Sequence, residues 1–380
     1  MNKNRKNILV IHNIISPYKT ILFNALSVLN GDLEFKVLYI SETEKRRQWD
    51  IQKDGLHFSY EIMFDKPLDN IGVGLLFLET WKKLERCSPD LLIVDGYSYA
   101  SSWAGKFWSL IHRKHSILWS SSTEADHERV FYKEFFKKFI IKGFGAYNVY
   151  GTKSRDYLIK LGAKKDNIFI IGNNTDNNFY YDETMKWRRE RSAIIKSFGI
   201  PERNFLYIGR FSEEKNILLL LDAYRSLKSG LQWGLILVGS GPQKEEIEKY
   251  INTYQIKNVF MPGFKQKNEI PKYMAVSDVF VLPSISEPWG LVVNEAMAAG
   301  LPVLVSKKCG CYPDIVRDSE NGFSFDPLDY KGLYELMVQI TSNNFDLNKM
   351  GNKALEIIKD FTPQRAVQVV INTINTVLND

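Results

Sequence analysis

The sequence predicts an α/β fold of two doubly wound, Rossmann-like domains, each a parallel sheet covered by helices on both faces. The first observation is length, because 380 residues exceed what one ordinary domain core holds. The second is that short apolar runs alternate with helical runs in both halves of the chain. The third is a polar, Asn-rich stretch at 171–181, which predicts a linker. We therefore expect an N-terminal domain over 1–175, a C-terminal domain over 176–362 and a last segment over 363–380.

In the first half, apolar runs rich in branched or aromatic residues predict strands. These runs are NILVIHN, FKVLYI, DLLIVDG, HSILWS and AYNVYG. Helical runs lie between them at Tyr18–Leu29, Ile71–Arg86 and Tyr99–His112. A rhythm of strand, helix and strand indicates a parallel sheet with both faces covered.

The second half repeats this alternation. Its strand-like runs are FLYIGR, WGLILVG, VFMPG, VFVLPS, LPVLVS and GFSFDP, and most lead into a helix. A further helix is predicted over Ala366–Leu378. In sheets of this kind, ligands bind outside the carboxyl ends of the strands, and the second half keeps its unusual residues at those ends.

Composition places the chain among ordinary globular proteins, with 44% hydrophobic and 25% charged residues. No apolar run reaches the roughly eighteen residues of a spanning helix, and the N-terminal run, broken by His12 and Asn13, predicts a buried strand. Three cysteines make no disulfide framework, so we expect a reducing, cytoplasmic compartment. Cys309 and Cys311 form a weak metal signal, and an ordinary loop is the more common explanation.

Charge is concentrated in one window. The chain carries a net charge of +6, and Arg129–Lys165 holds ten basic and two acidic residues, or +8. Because the excess of basic residues is confined to this window, it does not indicate a nucleic-acid-binding protein. Within the window, Arg129–Phe144 mixes lysines with apolar residues. Either this helix lies on an anionic membrane at the inner face of the cell membrane, or its apolar side packs on the sheet and its lysines are solvated.

The segment SEPWGLVVNEAMAAGLPVLVS carries the strongest chemical signal. Glu287 and Glu295 are eight residues apart, with a helix predicted to start at Gly290 between them. The N–H groups of Gly290, Leu291 and Val292 would form an anion site, and carboxylates accept sugar or ribose hydroxyls. A capped helix with an incidental glutamate is the alternative.

The segment FLYIGRFSEEKN adds two cations. Arg210 follows Gly209 at a strand end, and Lys215 lies five residues on, near a helix start. Together they suit a diphosphate, although solvated charges are the more common role of such side chains.

Two turns complete the predicted site. Gly239 and Gly241 form a tight turn at which the backbone could approach a ligand, although a lone Gly-x-Gly is a weak signal. Gly263 and Phe264 form another, with an aromatic ring that either lines a base pocket or belongs to the core.

These segments together resemble the retaining, metal-independent glycosyltransferases of family 4, which have the GT-B fold. The resemblance is carried by Glu287-x7-Glu295, by the Gly-Arg-x4-Lys of 209–215, by GSGP at 239–242 and by the CGCYPDIVRDSENGF segment of 309–323. It implies two Rossmann-like domains facing each other across a cleft, with the last helix returning to the N-terminal domain.

The resemblance also implies roles for the residues. Arg210 and Lys215 would bind the donor diphosphate, Glu287 the hydroxyls of the transferred sugar, and Glu295 the ribose. The amides of 290–292 would hold phosphate and sugar, and the turns at 239 and 263 would border the base. Glu287, Arg210 and Lys215 are the expected catalytic residues, and no metal or other cofactor is expected.

The N-terminal domain departs from the family pattern on the acceptor side. The glycine-rich loop common after the first strand is replaced by a segment containing Ser16, Pro17 and Tyr18. The loop after the fifth strand offers Glu124 and His127, for which a plain surface role is the more common explanation.

The function implied is retaining hexosyl or N-acetylhexosaminyl transfer from a nucleotide-diphosphate sugar. The expected acceptor is a glycan or a lipid-diphosphate-linked sugar, in bacterial surface polysaccharide synthesis. A GT-B epimerase or phosphorylase, or a non-catalytic nucleotide-sugar binder, are the alternatives.

Overall fold

The computed structural model describes residues 5–28, 33–45, 53–124, 137–228 and 232–379. The chain divides into two compact units. Unit 1 comprises 1–174 and 363–380, and unit 2 comprises 175–362. Each unit is built on a parallel sheet with helices, so the predicted pair of doubly wound domains is confirmed.

The sheet of unit 1 has the strand order β3-β2-β1-β4-β5-β6-β7 and is parallel throughout the described residues. Its strands are β1 Lys6–Ile14, β2 Leu33–Ser41, β3 Ser59–Phe64, β4 Leu91–Asp95, β5 His115–Ser120, β6 Ala146–Val149 and β7 Ile168–Ile170. Its helices along this stretch are α1 Pro17–Val28, α2 Val73–Cys87, α3 Ala100–Ile111 and α4 Thr152–Lys160.

The five strands predicted for this half are the central ones. In β1, the residues Ile8–Ile11 are almost completely buried and pair with Leu91–Val94 of β4. The sequence analysis missed β3 and β7, which are the two edge strands. Neither contains a fully buried residue, so neither produces the apolar run by which the inner strands are recognised.

Unit 2 has six parallel strands in the order β10-β9-β8-β11-β12-β13 within its described residues. They are β8 Arg203–Ile208, β9 Trp233–Val238, β10 Val259–Gly263, β11 Val279–Leu282, β12 Val303–Ser306 and β13 Gly322–Phe325. All six fall on the predicted runs. The helices are α5 Asn177–Arg188, α6 Arg191–Phe198, α7 Ile217–Arg225, α8 Lys244–Thr253, α9 Ile270–Ala275, α10 Leu291–Ala298, α11 Tyr330–Thr341 and α12 Leu347–Ile358.

The stretch 171–181, predicted as a linker, is a linker only in its first part. Helix α5 begins at Asn177, and the Asp176 carboxylate accepts a hydrogen bond from the Phe179 N–H at 3.1 Å. Tyr180 is buried on this helix. An aspartate cap and one buried aromatic therefore outweigh the asparagine-rich composition that suggested irregular structure.

The last helix, α13 Pro363–Asn379, is part of unit 1. It packs on α1 and on β5, β6 and β7. The Thr373 hydroxyl donates to the Asn148 side-chain oxygen on β6 at 2.9 Å, both residues being buried.

Both sheets have the same connectivity, in which the first strand of the unit lies between the second and the fourth. The chain therefore reverses its direction of winding between β1 and β4 in unit 1 and between β8 and β11 in unit 2. Such switch points open a crevice at the carboxyl ends of the strands, where α/β sheets bind ligands. None of the helices that the structure describes is both long and apolar enough to cross a membrane.

Candidate active site

The switch point of unit 2 brings a lysine and a glutamate together. Lys215 ends a short 3-10 turn, Glu213–Lys215, after β8, and Glu287 lies in the loop after β11. The Lys215 ammonium forms an ion pair with the Glu287 carboxylate. Their side chains are 18% and 16% exposed, so both charges are partly removed from water while a ligand can still reach them.

The loop that carries Lys215 is tied to its neighbours by backbone contacts. Asn216, in the left-handed conformation with φ 56°, donates its side-chain amide to the carbonyl of Pro327 at 2.8 Å. The Ile285 N–H donates to the Glu214 carbonyl at 2.9 Å, which joins the loops after β8 and β11. These bonds fix the position of Lys215 opposite the glutamate.

The loop that carries Glu287 rests on the segment after β12. The Gly310 N–H donates to the Glu287 carbonyl at 2.8 Å, and the Cys311 N–H donates to the Trp289 carbonyl at 3.0 Å. A Cβ atom at Gly310 would lie 1.8 Å from the Pro288 carbonyl oxygen, so only glycine allows this approach. Gly310 and Cys311 therefore hold the Glu287 loop in place through backbone hydrogen bonds.

Helix α10 begins beside Glu287. Its cap, Gly290, has φ +96°, and a Cβ atom there would lie 3.3 Å from the Glu287 Cγ. The first N–H groups of a helix have no acceptor within it and carry the positive end of the helix dipole. Leu291 and Val292 are half-buried at this end, and binding of an anion by their N–H groups stays a prediction. Glu295 lies on the same helix and is 4% exposed.

Arg210 is the second predicted cation, and it lies exposed directly after β8. The buried Tyr207 hydroxyl donates to the Arg210 carbonyl at 2.9 Å and so fixes the backbone at this point. Burial raises the pKa of Tyr207 well above its usual range, and the charge of Glu287 adds to this effect. The phenol therefore stays a neutral hydrogen-bond donor beneath the site.

Glu214 is a site residue that the sequence analysis missed. Burial opposes ionisation of its carboxyl, but a 2.6 Å hydrogen bond from the Ser212 hydroxyl and the charges of Lys215 and Arg210 together lower its pKa. Both cations thus act on one carboxylate. The signal was present in the sequence, as an acidic residue directly before Lys215.

The predicted turns require glycine for two different physical reasons, the first of which applies to Gly239 and Gly241. Cβ atoms at Gly239 and Gly241 would lie 1.8 Å from the Gly209 oxygen and 2.3 Å from the Phe211 oxygen. These turns therefore pack backbone to backbone, and their glycines are required by the protein itself. Whether they also border a ligand stays a prediction.

The turn at Gly263 differs, because open space lies where a Cβ atom would be. Gly263 has φ +82°, no atom lies within 4 Å of a Cβ built there, and its carbonyl accepts from the Gly239 N–H at 3.0 Å. Phe264 is 44% exposed, so the core alternative is wrong for this ring.

The groups at this edge suit an anionic, hydroxyl-rich ligand. Two cations and a helix start can face a diphosphate, and the Glu287 carboxylate can accept hydroxyl donors. In the described part of the chain, no three His, Cys, Asp or Glu side chains are grouped so as to hold a metal ion. Cys309 and Cys311 are buried beside Gly310, under the Glu287 loop.

The predicted acceptor-side residues lie apart along unit 1. Pro17 is the first residue of α1, with the half-buried Tyr18 beside it, and the Ser16 hydroxyl accepts from the Lys19 N–H at 3.4 Å. Glu124 forms an ion pair with Lys160.

The last acceptor-side residue, His127, falls outside the described residues. The structure therefore says nothing of its place, and its role stays a prediction.

Unit 1 contains a charged cluster that the sequence analysis did not identify. Asp95 ends β4, with His12 Nε2 at 2.9 Å from one carboxylate oxygen and Lys19 Nζ at 3.7 Å from the other. Burial alone would raise the pKa of Asp95, but the charges of Lys19 and His12 outweigh it and lower this pKa to about 2. Asp95 is far from His12 and Lys19 in the sequence, and the three residues form no motif.

The sequence of unit 2 matches a class of enzymes. Residues 190–356 match the family described as glycosyl transferases group 1. This span lies within unit 2 and contains the residues of the site, from Gly209 to Glu295. This span of the chain is thus similar to enzymes that transfer sugars.

The chain is also similar to individual curated proteins over part of its length. The chain is 37% identical over 148 residues to sulfoquinovosyl transferase SQD2 of Arabidopsis thaliana, which covers 38% of this chain and 28% of the relative. It is 26% identical over 204 residues to N-acetyl-alpha-D-glucosaminyl L-malate synthase of Bacillus anthracis, which covers 53% of each. The chain thus spans only about half, or less, of the length of these curated relatives.

A solved structure shows the fold over the whole chain. The structure of HepE of Anabaena in complex with UDP superposes with a TM-score of 0.76 at 18% identity, covering 98% of this chain and all of that one. At this identity the likeness concerns the fold, which is that of GT-B glycosyltransferase structures.

Proposed function

We propose that this protein is a retaining, metal-independent glycosyltransferase of family 4, which transfers a sugar from a nucleotide-diphosphate donor to a hydroxyl of an acceptor. The observation that carries this proposal is the Lys215–Glu287 ion pair at the switch point of unit 2. A cation for the diphosphate and a carboxylate for the sugar meet there, beside Arg210 and the start of α10.

The donor lies along this edge, from the base to the sugar. Phe264 stacks on the base beside the open space at Gly263, and Glu295 accepts hydrogen bonds from the ribose. Arg210, Lys215 and the first amides of α10 bind the diphosphate. Binding of the donor exchanges the contact between Lys215 and Glu287 for contacts to phosphate and to sugar hydroxyls.

The catalytic effect is electrostatic. As the bond between the anomeric carbon and the phosphate oxygen breaks, negative charge grows on the leaving diphosphate and positive charge on the sugar ring. Arg210, Lys215 and the helix start stabilise that negative charge more in the transition state than in the ground state, the role a divalent metal has in other enzymes. Glu287 stabilises the sugar ring.

Retention follows if the acceptor attacks on the face that the leaving group departs from. The acceptor oxygen then bonds to the anomeric carbon, and its proton passes to the leaving phosphate oxygen. The alpha configuration in the name of the Bacillus anthracis relative supports an α-linked product.

We base the identity of the acceptor on the family resemblance. We place the protein in bacterial surface polysaccharide synthesis in the cytoplasm, with a glycan or a lipid-diphosphate-linked sugar as acceptor. The complex of HepE with UDP supports a uridine donor as the first to test.

The test combines a donor screen with turnover measurements. Nucleotide sugars are ranked by the rise in melting temperature, since a ligand that binds only the native state stabilises it by about 2.7 kcal/mol at a hundred times its Kd. With the best donor, nucleotide release is measured for the wild type, for Arg210→Ala and Lys215→Ala, and for Lys249→Ala, an exposed lysine of α8, as the control.

We expect Arg210→Ala and Lys215→Ala each to lower turnover by about 10²-fold or more at saturating donor, and Lys249→Ala to change nothing. Unchanged turnover in both site variants would contradict the proposal. Conversion of the donor sugar without acceptor would indicate an epimerase, and consumption of inorganic phosphate a phosphorylase. Donor binding without any turnover would indicate a binder.

We also propose that unit 1 binds an anionic membrane through a basic surface, which consists of Lys138, Phe139, Lys142, Lys164 and Lys165. Lys138 and Phe139 lie on a helix described over 137–141, and Lys142 follows it directly. Phe139 is 62% exposed. The side chain of Lys142 reaches Gly162, because a Cβ atom there would lie 2.9 Å from the Lys142 Cε. Two segments thus present lysines side by side.

The packing alternative explains part of this helix. Ile140 and Ile141 are buried, so one side does pack on unit 1. Phe139 faces away from that core with a lysine on either side along the helix. An exposed aromatic among lysines is the arrangement expected at a lipid surface. Residues 129–136 of the predicted window lie outside the described residues.

Vesicle flotation tests the membrane proposal. We expect binding to vesicles containing phosphatidylglycerol, weaker binding to phosphatidylcholine alone, and loss of binding in Lys138→Glu/Lys142→Glu or at high salt. Lys244→Glu/Lys249→Glu, at two exposed lysines of α8 in unit 2, lowers the net charge by the same four units and is the matched control. Equal flotation of both variants, or none of the wild type, would contradict the proposal.

A further inference from the structure

The switch point of unit 1 holds a carboxylate at its centre. Asp95 is the last residue of β4, and β4 pairs with β1 from Ile8–Leu91 to Ile11–Val94. The next position along β1 is His12, whose Nε2 lies 2.9 Å from the Asp95 carboxylate. The crevice in which such sheets bind ligands therefore opens directly above Asp95.

The cation of this cluster is held away from solvent. The Lys19 Nζ lies 3.9 Å from the centre of the Trp119 ring and 5.1 Å from that of Tyr150, and it is buried. Burial lowers the pKa of Lys19, although Asp95 opposes this effect. Lys19 is thus fixed within aromatic rings and turned toward one partner, so it is not placed to bind a ligand itself.

Asp95 has the most exposed side chain of the cluster, at 18% against 15% for Lys19 and 7% for His12. The Lys19 ammonium itself is buried, and the His12 ring is packed edge-on against Phe23 and Tyr39. Gly96 follows with φ +79°, and nothing lies within 4 Å of a Cβ atom built there. Open space therefore adjoins the Asp95 carboxylate, whose negative charge is stabilised by His12 and Lys19.

A carboxylate that stays ionised accepts hydrogen bonds and does not take up a proton. Because its pKa is about 2, Asp95 is a poor base at neutral pH, but it can orient an O–H donor.

The parallel with unit 2 is an independent observation. Lys19 follows the first strand of its sheet and Asp95 ends the fourth, and Lys215 and Glu287 likewise follow the first and fourth strands of theirs. In each sheet the pair meets at the switch point. The same fold thus carries a lysine–carboxylate pair at the position where each sheet would bind a ligand.

We propose that Asp95 binds a hydroxyl of the acceptor, which is a polyhydroxylated molecule such as a sugar, while Lys19 and His12 keep the carboxylate in place. This inference rests on the proposed function, since it assigns the acceptor subsite of that reaction. Asp95 contacts the acceptor, and Lys19 and His12 are positioning residues.

Equilibrium binding tests the inference without any turnover. The full chain is titrated with methyl glucoside, methyl galactoside and methyl N-acetylglucosaminide, and binding is followed by saturation-transfer NMR. We expect at least one glycoside to bind the wild type, and Asp95→Asn to weaken its Kd at least about tenfold, the loss of one charge-assisted hydrogen bond. Asp166→Asn, an exposed carboxylate of unit 1, should bind like the wild type.

A second variant separates binding from folding. If Asp95→Asn melts early because Lys19 is left buried without its carboxylate, Asp95→Asn/Lys19→Met removes both charges, and Asp95→Glu should recover part of the binding. Wild-type affinity in a folded Asp95→Asn or double variant, or no binding of any glycoside to the wild type, would overturn the inference. Failure of the proposed function shows separately, as the absence of any donor that raises the melting temperature.

Discussion

The two switch points use the same pair of residue types in different ways. In unit 1, Asp95 belongs to a strand, Lys19 to a helix, and aromatic rings surround the ammonium. In unit 2, Lys215 and Glu287 lie on loops whose positions are fixed by backbone hydrogen bonds and by glycines. The two pairs are almost equally exposed, but the ammonium of the first is enclosed by aromatic rings, whereas we propose that the second exchanges its ion pair for contacts to a ligand. The same topology can therefore hold a lysine–carboxylate pair in two ways. On a strand and a helix the pair is rigid and its carboxylate can accept a hydrogen bond from a hydroxyl, whereas on two loops the ion pair can exchange its partners.

The largest effect expected from this comparison is that of Glu287→Gln. The variant keeps the shape of the side chain but removes the charge that pairs with Lys215 and that, in the proposed function, faces the sugar. We expect turnover to fall by about 10²- to 10³-fold. The matched change Asp95→Asn should act through the acceptor, raising its KM more than it lowers kcat at saturating acceptor. A large kcat effect from Asp95→Asn with an unchanged acceptor KM would remove the distinction between the two pairs.

The loops of unit 2 should be sensitive to their glycines. Gly310→Ala places a Cβ atom 1.8 Å from the Pro288 oxygen, so the Glu287 loop must move. We expect a loss of unfolding free energy of about 3 kcal/mol, together with weaker donor binding. The control Gly74→Ala lies in helix α2 with open space around it and should stabilise by about 0.5–1 kcal/mol. Denaturant melts of both variants decide, and equal stabilities would contradict the loop account.

The locked pair of unit 1 should appear in acid stability. The folded pKa of Asp95 is about 2, below its usual 3.8, so its contribution to stability is complete above about pH 4 and is lost as the pH falls through 2. We expect the stability difference between wild type and Asp95→Asn to shrink across this window. A difference that stays constant from pH 5 to pH 2 would show that the His12 and Lys19 contacts do not hold the carboxylate ionised.

A smaller effect is expected at alkaline pH, away from both switch points. Lys106 on α3 is buried against Phe144 and donates to the Gly143 carbonyl, and burial lowers its pKa from 10.5 to about 8. Between these values the unfolded chain binds more protons, so this group makes stability rise with pH from 8 to 10.5. Lys106→Met should remove that part of the rise, which melting curves at pH 7, 8 and 10 would show. An identical slope in the variant would contradict it.

The sequence was sufficient where local patterns carry the information. All six strands of unit 2 and the inner strands of unit 1 contain short runs rich in apolar residues, because both faces of a parallel sheet are covered. Lys215 and Glu287 were found because each follows a recognisable strand end. Helix α5 was partly missed because its cap and Tyr180 lie in a polar stretch.

The unit 1 cluster could not be predicted, because it depends on strand order. His12 and Asp95 are 83 residues apart and become neighbours only because β1 pairs with β4. Lys19 joins them through the packing of α1, and nothing in its sequence context distinguishes it from a surface lysine. The requirement for glycine at position 310 could not be predicted either, since the Pro288 oxygen approaches it only in the folded unit.

The most direct test of the central claim is the affinity of the nucleotide diphosphate for the wild type, Lys215→Ala and Lys249→Ala, measured by titration calorimetry with UDP and GDP. We expect one nucleotide to bind the wild type and Lys249→Ala equally, and to bind Lys215→Ala about 10- to 100-fold more weakly, the loss of a hydrogen-bonded charge. Equal affinity for all three proteins would contradict the assignment of the donor to the Lys215–Glu287 pair.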